Sequence, residues 1–130
     1  MVLAGYGVKR SERSLRRLGR WRPDIGTVST NVVQAARTPG FGASAEYLDV
    51  SLDDLRDFLP RRLFPIVGIN LAPLGERGWH AQVVVGITSQ YVAVYDPLYS
   101  SPANPERQIS HQAFDLAWAM SDRLMIIIAK

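Results

Sequence analysis

Apolar residues recur at two different spacings along this sequence, and the change from one to the other divides it. Leu15 and Leu18 form a small stripe, Val32, Val33, Ala35 and Ala36 a second, and Leu52, Leu55, Phe58 and Leu59 a third. Each stripe has the three-to-four-residue repeat of a helix with one covered side. From Phe64 onward the pattern becomes short runs rich in Val, Ile and Tyr, over residues 64–71, 80–87 and 91–95, which predict strands.

The punctuation agrees with this division. Residues 1–6 are apolar and no Ser, Thr, Asp or Asn precedes them, so they read as the end of a helix and not its start, with Gly5 and Gly7 as stop signals. Ser11 caps a second helix ending near Gly19, a turn follows at Arg22, Pro23, Asp24 and Gly26, and a third helix runs from Ser29 to Pro39-Gly40. A strand is expected within 41–50. Ser51 and Asp54 have capping-box spacing for a fourth helix that Pro60 closes. After the strands, 97–105 reads as a surface loop, Ser110 caps a last helix facing inward with Phe114, Ala117 and Trp118, and 124–129 is a closing strand. Helices first and strands afterwards predict an α+β fold, one domain over 1–130, with N-terminal helices packed on a mostly antiparallel sheet. There is no internal repeat, low-complexity tract or linker.

Composition narrows the chemistry. With 130 residues, 47% of them hydrophobic, one core is affordable without staples. There is no cysteine, which excludes disulfides, thiolate metal sites and a thiol nucleophile supplied by these residues. The two histidines, His80 and His111, are far apart, which argues against a metal site, and no cofactor is called for. The longest apolar run, 124–129, is far short of the roughly 20 residues a bilayer crossing needs, and no signal peptide is visible, so a cytoplasmic location is the expectation. The net charge of +3 hides an asymmetry: residues 1–37 hold eight basic and two acidic residues, the rest seven and ten. The cluster Lys9, Arg10, Arg13, Arg16, Arg17, Arg20 and Arg22 reads as a solvated helix face with a Glu12–Arg16 pair. Without a recognition motif it does not predict nucleic-acid binding.

The stretch with most chemical content is Gly78-Trp79-His80-Ala81-Gln82-Val83-Val84-Val85-Gly86-Ile87, followed by Tyr91-Val92-Ala93-Val94-Tyr95-Asp96-Pro97. It reads as a hairpin. A turn centred near Thr88 pairs residues whose numbers sum to about 176, which sets His80 opposite Asp96. An odd loop puts the two side chains on one face and an even loop separates them, and the turn sequence leaves both open. A carboxylate beside an imidazole fixes its tautomer, as the orienting acid of a catalytic triad does. The plainer alternative is that His80 merely begins a strand and Asp96-Pro97 merely starts a turn. His111 reads as a surface residue.

These segments, with Met1-Val2-Leu3-Ala4-Gly5-Tyr6-Gly7, Gly40-Phe41 and Phe64-Pro65-Ile66-Val67, resemble the bacterial papain-like cysteine peptidases that remove double-glycine leaders from secreted peptides. In that family the histidine base begins a strand rich in valine and the orienting aspartate sits in an Asp-Pro pair after the next strand; His80 and Asp96 match those positions. The family's cysteine, in a segment resembling Cys-Gly-Pro-Ala, would by analogy lie about seven residues before Met1, two helical turns upstream. The resemblance therefore implies a peptidase fold cut at the front of its central helix and inactive without its nucleophile, with a peptide or leader peptide as substrate. The alternative it implies is a binding module like the family's degenerate exporter domains, holding peptide in a groove near Trp79, His80 and the loop from Pro97. A shortened helix would expose Val2 and Leu3, so a second copy or a partner is expected to cover them.

Overall fold

The computed structural model describes residues Met1–Lys130. Five helices, α1 (Val2–Gly5), α2 (Glu12–Leu18), α3 (Ser29–Arg37), α4 (Leu52–Phe58) and α5 (His111–Ala119), accompany six strands. These are β1 (Ala45–Tyr47), β2 (Ile66–Asn70), β3 (Trp79–Ile87), β4 (Tyr91–Tyr95), β5 (Arg107–Ser110) and β6 (Met125–Ile127). The expected α+β class is the one observed. The chain divides into two compact units, Met1–Glu46 with Ile126–Lys130, and Tyr47–Met125.

In the first unit α1 has no side-chain cap and no fully buried residue, whereas Ser11 Oγ accepts the Ser14 amide at the start of α2. Val2 and Leu3 are half-buried and Met1 is exposed. Val33, Ala35 and Ala36 of α3 are buried, as their spacing predicts. The Tyr6 ring lies 5.1 Å from Phe41, and its hydroxyl donates to the Ile128 carbonyl. Ser44, fully buried, accepts the Ala129 amide on its side chain and two Arg37 N–H groups on its carbonyl, so no polar atom of that residue is wasted.

In the second unit β2, β3, β4 and β5 form an antiparallel meander. Val92, Ala93 and Val94 of β4 are buried in succession, so both faces of that strand are covered, as its unbroken apolar run requires. Helix α5 packs on β2, β4 and β5 through Phe114 and Trp118, whose indole N–H donates to the Leu124 carbonyl. A Cβ at Gly68 would stand 3.3 Å from a Leu124 methyl, so the residue's lack of a side chain is what lets that segment come close.

After the expected loop at 97–105 comes a strand that the sequence pattern does not predict, Arg107–Ser110, paired with β4. Only Ile109 of its four residues is buried, so the apolar signal is a single residue. The 41–50 segment yields only the three residues of β1.

Candidate functional site

His80 and Asp96 meet, by a route the sequence left open. Beyond Gly86, the β3–β4 pairs are Gly86↔Ala93 and Ile87↔Val92, whose numbers add to 179, and four residues separate Ile87 from Val92. That even loop alone would turn His80 and Asp96 to opposite faces. A β-bulge between Val84 and Gly86 adds one residue to β3, and the pairs Val83↔Tyr95 and Val84↔Val94 add to 178. The bulge restores the parity. The expected sum of 176 is thus corrected to 178, which places Gln82 level with Asp96 and His80 two residues further along the same face.

The contact is short and enclosed. His80 Nε2 lies 2.6 Å from Asp96 Oδ1, and Asp96 is fully buried. The other carboxylate oxygen accepts from Gln82 Nε2, also at 2.6 Å, and Oδ1 takes a second bond from the Leu98 amide at 2.9 Å. The Asp96 amide donates to Ser100 Oγ, and the Ser100 amide returns to the Asp96 carbonyl at 2.7 Å, so the backbone of the turn is fixed as well. Arg107 on β5 donates to Glu76 at 2.6 Å, lies 4.4 Å over the Tyr99 ring, and holds Nη1 3.8 Å from Asp96 Oδ2.

Burial is the strongest single influence on the Asp96 carboxyl and raises its pKa. The bonds from Gln82, Leu98 and His80, with the charge of the imidazolium, together outweigh burial and hold the pKa below the ordinary 3.8. Asp96 is therefore ionised near neutrality and can only accept. It follows that His80 Nε2 carries a proton and that Nδ1 is the nitrogen left to take or give one. An imidazole so held is a general base with a fixed orientation.

Of the residues singled out by sequence, His80 and Asp96 are brought together. Trp79 is exposed at 62%, but alternation along β3 turns it to the face opposite His80 and Gln82. His111 is half-buried and its Nε2 lies 2.7 Å from the Thr88 carbonyl, a bond that ties α5 to the hairpin turn. Gln82 and Arg107 were not singled out. The signal for Gln82 was its position two residues after His80, hence on the same face; Arg107 carried none, since its strand was unseen. Beside the pair, Leu98 and Tyr99 are exposed apolar residues. No group of three or more His, Cys, Asp or Glu side chains is placed to hold a metal ion.

No protein-family model matches the chain, and no curated protein sequence matches it. Solved structures do. The peptidase domain of Streptococcus ComA, a bi-functional ABC transporter involved in a quorum sensing pathway, superposes with a TM-score of 0.73 at 26% identity, covering 99% of this chain and 85% of that one. A C39-like peptidase from Bacillus anthracis gives a TM-score of 0.65 at 17% identity over 82% of this chain and 60% of the other. In fold, the chain is thus a relative of the bacterial papain-like cysteine peptidases of the bacteriocin-processing kind, with no cysteine among its 130 residues.

Proposed function

We propose that the chain carries the base and orienting acid of a papain-like peptidase acting on peptides, with His80 as base and Asp96 as the group that orients it. The observation that carries this reading is the 2.6 Å bond between His80 Nε2 and the buried Asp96 carboxyl. In such a reaction His80 Nδ1 takes the proton of a thiol, and the thiolate adds to the scissile carbonyl. The imidazolium then gives its proton to the leaving amine, and water, activated by the same nitrogen, releases the acyl group. Asp96 stays ionised throughout and stabilises the imidazolium. The thiol is not among these 130 residues, so by themselves they supply no covalent catalysis.

A binding module is the second reading, favoured by the exposed Leu98 and Tyr99 beside the pair. The backbone of Leu98 is held by Asp96, so a peptide would meet a preformed edge there. Trp79 was the sequence's candidate for this contact and is tested with them.

Two experiments separate the readings. Extending the chain upstream with a segment that places a cysteine about seven residues before Met1, two helical turns away, is expected to give thiol-dependent cleavage of a double-glycine peptide. His80→Ala in that chain should lower the rate by about 10²-fold or more. Cleavage that ignores His80, or none in a folded extended chain, contradicts the peptidase reading. Titrating the same labelled peptide into the 130-residue chain tests the module: saturable binding weakened by Leu98→Ser supports it, while binding weakened only by Trp79→Ala, on the opposite face, or no binding contradicts it.

A further inference from the structure

Charge is held unevenly between the two units. The first contains nine basic and three acidic residues, a net of +6, and the second six and nine, a net of −3. Within the first, Arg16 and Arg22 are paired with Glu12 and Asp24. Lys9, Arg10, Arg13, Arg17 and Arg20 are exposed, and no carboxylate lies within ion-pair reach of them. Arg13 and Arg17, four residues apart on α2, line an open notch with Ser11 and Ser14.

The chain that follows α2 adds a second kind of surface. Arg22 and Gly26 exchange backbone bonds of 2.9 and 2.7 Å, closing a tight turn near whose tip Ile25 is 56% exposed. Trp21 and Val28, on either side of this turn, are exposed too, and the Arg16 guanidinium lies 4.5 Å over the Trp21 ring. Free cations and uncovered apolar side chains thus occur together in one short stretch of chain, where a merely solvated arginine face would carry only the former.

We propose that this segment docks on an anionic lipid surface, the free cations meeting headgroup phosphates while Trp21 and Ile25 enter the headgroup layer. A basic segment gains affinity from each cation near such a surface, and apolar side chains beside it add to that by leaving water. A nucleic acid could use the cations and the Trp21 ring, but the exposed aliphatic side chains of Ile25 and Val28 have no part in such binding, whereas a lipid surface takes up both kinds of side chain. No helix is long and apolar enough to cross a membrane, so the contact is peripheral. This reading is independent of the peptidase one, since it uses no residue of the His80 site.

The test is co-sedimentation of the 130-residue chain with vesicles of phosphatidylcholine alone and of phosphatidylcholine mixed with phosphatidylglycerol, at low and physiological salt. Binding to the anionic vesicles only, weakening with salt, is expected. Arg13→Gln with Arg17→Gln should weaken it about tenfold or more, and Trp21→Ala with Ile25→Ser should weaken it while leaving a salt-sensitive remainder. All four side chains are exposed, and thermal melts confirm that each variant folds. Equal binding to both vesicles, no binding at low salt, retention by duplex DNA without retention by vesicles, or self-association in place of vesicle binding would each overturn the proposal.

Discussion

At the scale of single residues, the site depends on how one buried carboxylate is satisfied. Asp96 accepts three side-chain or amide bonds, from His80, Gln82 and Leu98, and removing it leaves the buried Gln82 amide and the largely covered His80 ring without their acceptor. Asp96→Ala is expected to cost about 3–5 kcal/mol in urea unfolding, as broken buried charge contacts do. Asp96→Asn should cost less, about 1–2 kcal/mol, because Gln82 can turn its amide and present Oε1, which has no hydrogen-bond partner in the fold. The lowered pKa of Asp96 sets a direction in pH. The folded state holds its proton less tightly than the unfolded chain, so the contribution is present above the ordinary 3.8 and is lost as pH falls through the lowered value. Acid unfolding followed by circular dichroism should therefore steepen below pH 3.8 in the wild type and less so in Asp96→Asn. His80 and Asp96 were legible because imidazole and carboxylate are rare enough to be noticed at paired positions. A glutamine inside a strand carries no such flag, and only the two-residue period tied Gln82 to the site.

At the scale of elements, caps and strand composition were legible, while register was not. Ser51 and Asp54 form the expected capping box, each bonding the other's backbone amide, and Ser51→Ala should cost about 1 kcal/mol in thermal or urea melts. The β3–β4 hairpin shows the limit. Its strands were plain from their valines, but their facing depends on one extra residue between Val84 and Gly86, and Gly86, the residue type that hints at a bulge, does not by itself say that the register shifts. A one-residue deletion makes this testable. Removing Val85 should either unfold the unit or leave a sheet in which His80 and Asp96 lie on opposite faces. In either case the two-dimensional NMR contacts between the His80 ring and β4 should vanish while a Val85→Ala control keeps them. Strand β5 went unseen for a related reason: four residues with a single buried side chain do not make a pattern.

At the scale of the whole molecule, the order of helices and strands fixed the class, and length and composition were enough to expect a core without metal or disulfide. The packing centre of the second unit is Trp118 with Phe114, both fully buried with ring centroids 5.5 Å apart. Trp118→Ala should cost about 3–5 kcal/mol, a large share of the stability of a chain this size, and lower the urea midpoint accordingly. The division into two units was not legible, since no composition shift or linker marks the boundary near Glu46 and Tyr47, and the chain returns to the first unit only for its last five residues. The charge asymmetry was visible in the sequence, but which arginines are already paired required the side chains in place. The structural kinship with peptidase domains rests on the path of the backbone, which persists at sequence identities of 26% and 17%.

The central claim is that Asp96 holds His80 through Nε2 and leaves Nδ1 free to act. It is tested most directly by nitrogen-15 NMR of the histidine rings at a pH where His80 is neutral. The account predicts that Nε2 carries the proton in the main tautomer and that Asp96→Asn shifts both ring nitrogens of His80. A ring protonated mainly at Nδ1, or one that does not respond when Asp96 is changed, would contradict it.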